Sequence, residues 1–191
     1  MSAPMSYCAS FQSAFFLKVL FNWLFTRTFK YQTNYYSIMK LKLKKSVWFD
    51  GSIQINCSFK KINDSFKNIG KSYSDITKLM PGINVAELVK QGDNFVTIKT
   101  NEGLMKRKNI SKKIQENTIV IEFDEEYQAG KSITTRSHHL EEYIVNDSKI
   151  NYRLIISNVT ASGFLGLLYR IFGKKNIGNA ILKSYKTYFE K

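Results

Sequence analysis

From Ser46 onward, apolar and polar residues alternate. In "SVWFDGSIQIN", Val47, Phe49, Gly51, Ile53 and Ile55 fall on one side and Trp48, Asp50, Ser52 and Gln54 on the other. This is the two-residue period of a half-buried strand. The spacing then changes. In "CSFKKINDSFKNIGKSYSDITKLMPGIN", Phe59, Ile62, Phe66 and Ile69 recur at steps of three and four, which predicts a helix capped by Ser58 and ended by Gly70. A second short helix is predicted from Tyr73 to Leu79, and Pro81-Gly82 stops it and turns the chain. Six strand-like runs follow: "NVAELVKQ", "NFVTIKT", "LMKRKNISKKIQ", "TIVIEFDEEY", "SITTRSHHLEEYIV" and "INYRLIISNVTA". The connectors "QGDN", "NEG" and "VNDSKI" have hairpin chemistry. Consecutive hairpins make an antiparallel meander, so the predicted class is α+β: a curved antiparallel sheet with its helices on one face.

The closing stretch, "TASGFLGLLYRIFGKKNIGNAILKSYKTYFEK", reads as one long helix. Its apolar stripe of Leu165, Leu168, Phe172, Ile181, Tyr185 and Tyr188 must be buried against the sheet. Gly163, Gly166, Gly173 and Gly178 interrupt it, each at a cost of about 1 kcal/mol relative to alanine. Gly163 and Gly166 are expected to allow close backbone approach, and Gly173 and Gly178 to flank a bend or break. A straight helix does not follow a curved sheet along its whole length, so the pattern also fits a helix closing over an apolar cavity. Stripes of this kind are equally ordinary core, and spacing alone stops at an antiparallel α+β domain.

Composition changes the picture mainly at the N-terminus. The chain has 191 residues, long enough for one domain and an appendage, and a formal net charge of +14. Residues 1–45 contain seven of the 29 basic residues and none of the 15 acidic ones, so half of that excess sits there. The boundaries read from this are a basic, aromatic-rich extension over 1–45 and a folded domain over 46–191. The run "AFFLKVLFNWLF" is too short and too interrupted for a membrane span, which needs about 20 residues. "MSAPMSYCASFQS" lacks the basic start of a secretory signal. The extension therefore reads as an unstructured tail or misassigned start, with Met39 opening "MKLKLKK", or as a targeting or membrane-surface segment. The expected location is cytoplasmic, with organelle targeting by residues 1–45 kept open. Cys8 and Cys57 are too few for a disulfide framework and read as free thiols.

Candidate chemistry is sparse. His138 and His139 are strand neighbours and point to opposite faces, so they do not share a metal. Either one is exposed and the other meets a cross-strand carboxylate, or one turns inward as a general base or orienting donor. Glu141 and Glu142 follow, but no three-ligand set has metal spacing, so no metal and no cofactor are expected. "EFDEEY" reads as a solvated strand edge with Glu122, Asp124, Glu125 and Glu126 outward and Ile121 and Phe123 inward. There is no phosphate-binding glycine loop, nucleophile elbow or Cys-His pairing with recognisable context. "LMKRKNISKK" gathers Lys106, Arg107, Lys108, Lys112 and Lys113, which with "KLKLKK" suits transient contact with an anionic membrane surface. Nucleic acid is disfavoured, because no aromatic platform interleaves with these residues.

The element order resembles the helix-grip fold of the START-like (SRPBCC) superfamily over about residues 46–190. The local pattern is most similar to the branch that holds polyketide cyclase-like proteins and the G-type component of carbon-monoxide dehydrogenase. The motifs that carry the resemblance are "FDGSIQI", "DITKLMPGI" and "VTASGFLGLLYRIFG". It implies about seven strands wrapped around the C-terminal helix, with a cavity for a hydrophobic small molecule or lipid between them. Strand parity then nominates Ile53, Ile98, Ile121, Phe123, Tyr152, Leu154 and Ile156 as lining residues, with Leu168, Phe172, Ile181 and Tyr185 from the helix. Pro81, Gly82 and Gly173 would gate the opening. Two alternatives follow from the resemblance. One is a cyclase or aromatase using the same cavity with His139 or Tyr152 in proton transfer; the other is an assembly factor for a cofactor enzyme.

Overall fold

A computed structural model describes residues 46–130, 133–146 and 149–191. The extension over 1–45, including Met39 and Cys8, lies outside the described residues, as do the side chains of Leu165 and Phe172.

Strand β1 (Val47–Ile55) is followed by helix α1 (Phe59–Ser65), a 3-10 turn (Phe66–Asn68) and helix α2 (Ile69–Thr77). Six strands come next: β2 (Ala86–Gly92), β3 (Phe95–Thr100), β4 (Gly103–Gln115), β5 (Thr118–Ala129), β6 (Ile133–Asn146) and β7 (Lys149–Ala161). Two helices end the chain, α3 (Gly163–Phe172) and α4 (Lys174–Glu190). All neighbouring strands are antiparallel, in the order β1-β7-β6-β5-β4-β3-β2. The first strand thus pairs with the last, and the α+β helix-grip arrangement expected from the sequence is present.

Two asparagines bend the strands. Asn109 (φ 56°) sits where the β4–β5 register shifts between Lys108 and Ser111, and Asn158 (φ 54°) lies in β7 near the shifts against β1 and β6. An extra residue in one strand bends it and increases the local twist, and asparagine tolerates the left-handed backbone better than most residues. The resulting concave face carries Ile98, Ile119, Ile121, Phe123, Tyr143, Tyr152, Leu154 and Ile156, all buried. Leu182, Tyr185 and Phe189 of α4 fill the concavity, while Ile181 and Tyr188 pack at its margin.

Local signals differ from the sequence reading at three places. Ser58 caps α1 as expected, its Oγ accepting from Lys61 N at 3.2 Å. Gly70, however, does not end that helix. The break falls at Asn68, whose side chain caps α2 by accepting from Lys71 N at 3.1 Å, and Gly70 is buried inside α2 beside Leu88 and Gln91. The terminal helix is two helices, divided at Gly173 alone. Gly178 lies within α4 and marks close packing, because a Cβ there would stand 2.2 Å from the Phe49 ring.

The last contact gives a direct prediction. Gly178→Ala gains helix propensity of about 1 kcal/mol but forces a buried ring out of place, and overpacking typically costs about 1–3 kcal/mol. The expected result is a net loss of stability, read as a lower denaturant midpoint with unchanged slope. A rise in the midpoint would show that Phe49 yields freely.

Candidate functional site

Cross-strand pairing, more than any single strand, builds the interior site. Arg107 on β4 faces Glu125 on β5, and Glu125 faces Ser137 on β6. One step along, Phe123 faces His139, which faces Ile156; the next rows hold Ile121, Glu141 and Leu154, then Ile119, Tyr143 and Tyr152. Strand parity turns all of these toward α4. Four ionisable side chains, Arg107, Glu125, His139 and Glu141, therefore stand among aromatic rings inside the domain.

Arg107 is 2% exposed. Its Nε donates to Glu125 Oε2 at 2.9 Å and its Nη1 to Tyr185 Oη at 3.4 Å. The guanidinium carbon lies 4.0 Å from the Tyr73 ring centre and 4.6 Å from that of Phe123, so the cation is covered by two π-systems. Glu141, 1% exposed, accepts from Tyr143 at 3.1 Å, from Tyr73 at 3.5 Å and from Tyr185. Three phenols thus surround one carboxyl.

Environment sets the protonation states. Burial raises the Glu141 carboxyl to about 7, against the opposing pull of Arg107 and of the Tyr185 and Tyr143 hydrogen bonds. Burial also lowers His139 to about 4, with Arg107 adding to that effect and Glu125 opposing it. Glu125 is pushed up by burial, but Arg107 and then His139 outweigh this and hold its carboxyl below the ordinary value. Near neutral pH the site thus contains a cation, an ionised Glu125, a neutral imidazole and a carboxyl near its midpoint.

The rest of the interior is filled. Tyr143, Tyr152 and Tyr185 form a stack with successive ring centres 4.8 Å apart, and Tyr152 Oη is buried with no hydrogen-bond partner among the described residues. His139 stacks on Phe123 at 4.8 Å. A void of about 20 Å³ remains, lined by Trp48, Glu125, Thr135, Ser137, His139, Ile156, Val159, Ile177 and Ile181. That volume accommodates about one water molecule. Helix α3 begins at Gly163 (φ +70°) and is fastened at its other end, where Trp48 Nε1 donates to the Arg170 carbonyl at 2.7 Å.

The sequence-nominated residues divide accordingly. Ile156 and Ile181 line the void. Ile98, Ile121, Phe123, Tyr152, Leu154 and Tyr185 are buried core side chains, and Ile53 packs at the core's edge. Leu168 is half-buried, and the Phe172 side chain lies outside the described residues. Pro81 and Gly82 (φ +85°) form an exposed turn, and Pro81 borders an open groove beside α4. Gly173 keeps a right-handed conformation at the α3–α4 junction.

Two sequence expectations are corrected. The strand-edge reading puts Glu125 outward; β5 is internal to the sheet, and Glu125 shares the inward parity of Ile121 and Phe123. The basic-patch reading puts Arg107 on the surface, but it shares the inward face of Met105, leaving the lysines of that stretch outside. Sequence reasoning does not nominate Glu141, although its spacing from His139 and Tyr143 carries the signal. His138 takes the outward role, pairing with Asp124 at 2.9 Å. Among the described residues no group of three or more potential ligands is placed to hold a metal, and no helix is long and apolar enough to cross a membrane.

No family model and no curated protein matches the chain. Solved structures do. A conserved protein from Geobacillus kaustophilus aligns over 74% of this chain and 91% of its own, at 10% identity and a TM-score of 0.53. A STAR-related lipid transfer protein from Xanthomonas axonopodis aligns over 74% and 85%, at 8% identity and a TM-score of 0.49. The ZhuI aromatase/cyclase from a Streptomyces species aligns over 74% and 92%, at 8% identity and a TM-score of 0.40. The chain has a helix-grip α+β fold, and at these identities the likeness is one of fold alone.

Proposed function

We propose that this domain binds a hydrophobic small molecule or lipid between α4 and the sheet, anchoring its polar end at the cluster of Glu125, Ser137 and His139. The observation that carries this reading is the charged cluster itself. Hydrophobic side chains of similar volume would fill such a space at equal or lower free energy, because desolvating an ion pair offsets much of its attraction. Arg107 and Glu141 are buried nonetheless, and Glu125, half-buried and paired with Arg107, lines a void with one polar and one apolar wall.

The closed interior has room for little more than water, so a guest enters by displacing a lid. Helix α3 suits that role: it runs between Gly163 and Gly173, and one of its fastenings is the Trp48–Arg170 hydrogen bond. Gly173 would act as the hinge, with the Pro81-Gly82 turn giving way along the groove beside α4. Trp48→Phe removes a bond of about 1 kcal/mol, so bound guest should leave roughly fivefold faster. Native mass spectrometry of protein purified from its own cells should show a non-covalent adduct that is lost on denaturation. A bare mass, together with failure to take up an environment-sensitive apolar dye, would end the reading.

A cyclase-type activity in the same interior is the second reading, favoured by one observation. Glu141, held near 7 among three phenols, suits proton exchange at neutral pH better than His139 or the unpartnered Tyr152 does. A carrier keeps guest binding in Glu141→Gln and has no turnover to lose.

A further inference from the structure

The void between α4 and the sheet has two unlike walls. Trp48, Ile156, Val159, Ile177 and Ile181 make one of them. The other is made by Glu125, Thr135, Ser137 and His139 from neighbouring positions on β5 and β6. These polar groups do not offer a positive charge. Arg107 points its Nε at Glu125 Oε2 and its Nη1 at Tyr185, and its faces lie against Tyr73 and Phe123. It is therefore committed behind the wall.

His139 is neutral around pH 7, and its Nε2 lies 2.9 Å from Ser137 Oγ. Glu125 uses only Oε2 in its bond to Arg107. Its Oε1 lies 3.9 Å from His139 Nε2, beyond hydrogen-bond distance, and no donor among the described residues reaches it. An ionised carboxylate oxygen is thus left as an open acceptor on Glu125, a residue of the void's polar wall.

We propose that the guest's polar end is a hydrogen-bond donor, a hydroxyl or a protonated amine, and that Glu125 Oε1 selects it against carboxylates. The inference rests on the guest-binding reading above and narrows its ligand class. A fatty-acid carboxylate in the same place would bring two anions together with no lysine or arginine among the described lining residues to separate them, a penalty rather than an anchor. A hydroxyl or ammonium group would donate to Oε1, with Ser137 and Thr135 as further partners. A hydrogen bond to a charged group is among the stronger ones, which sets the scale of the preference at about tenfold or more.

The test uses three probes of one chain length, dodecan-1-ol, dodecylamine and dodecanoate, each below its aggregation limit at a pH of about 7.5, where the amine is protonated and the acid ionised. They compete against an environment-sensitive apolar dye bound to the full-length protein. The alcohol and amine should displace the dye at concentrations at least about tenfold lower than the acid. Glu125→Gln should erase the advantage of the amine over the acid. Ser137→Ala, which leaves the Arg107–Glu125 pair intact, should weaken the alcohol severalfold and serves if the first variant does not fold. Dodecanoate binding as tightly as the other two overturns the inference while leaving guest binding standing, as does a preference unchanged in both variants. If the dye and all three probes fail to bind, the guest-binding reading falls and the inference falls with it.

Discussion

Replacing Arg107 with methionine is expected to destabilise the domain by about 3–5 kcal/mol, the usual cost of leaving a buried charge without its partner. The side chain supplies the cation for Glu125, a donor to Tyr185, and a flat surface against Tyr73 and Phe123. Methionine fills much of the space but leaves the Glu125 carboxylate without its cation. Adding Glu125→Gln should recover a large part of the loss, since the orphaned charge, rather than the missing bond, dominates the cost. Equilibrium urea unfolding of both single variants and the double variant measures this directly. A loss below about 1 kcal/mol for Arg107→Met would mean that water reaches the pair and screens it.

The second large effect is in pH dependence. Glu141 carries a carboxyl raised from its ordinary 4.5 to about 7, so its proton favours the folded state. That contribution is fully present below pH 4.5 and is lost as pH rises through 7. His139 is lowered from 6.5 to about 4, so its contribution is present above pH 6.5 and is lost as pH falls through 4. Each corresponds to about 3 kcal/mol. Between pH 4.5 and 6.5 the two slopes oppose each other, and the wild-type protein should show nearly constant stability there. Glu141→Gln should expose the histidine slope, with stability rising by about 3 kcal/mol from about pH 4 to 6.5. His139→Gln should expose the carboxyl slope, with stability falling from pH 4.5 to about 7. Denaturant midpoints at closely spaced pH values decide the matter. Two variants as flat as the parent would show that neither group titrates where its surroundings put it. Below pH 4.5 stability should fall in every version, because Glu125, Asp50 and Glu126 each have a partnered carboxylate held below its ordinary value.

The sheet and its order are legible in the sequence because alternation is a local signal that survives burial. "SVWFDGSIQIN" and "TIVIEFDEEY" alternate cleanly, and the hairpin connectors dictate the meander. That His138 and His139 face opposite ways is equally legible, since adjacent strand residues must; which of them turns inward is not. Where the reading fails, residue type has been weighed above parity. Arg107 and Glu125 are expected outside because charged residues usually are, although Met105 and Phe123, two positions before each, point inward. Each charge is tolerated inside because the other faces it on the next strand, and one strand read alone does not reveal its partner. The filled interior is hidden for a similar reason. Gly178 reads as a weak point in a helix, whereas its use is to seat Phe49, a residue far away in the chain.

The pairing of β1 with β7 also bears on how the chain is made. Asp50 and Arg153, joined across these strands by bonds of 3.0 and 2.9 Å, are 103 residues apart. At a synthesis rate of about 5–20 residues per second, the first strand waits about 5–20 s before β7, its neighbour in the sheet among the described residues, has been translated. During that lag Phe49 and Ile55 lack the surfaces they will cover. The nascent chain is therefore most open to proteolysis and mispairing in its earliest folded segment, and a pause in translation after β6 would lengthen that window.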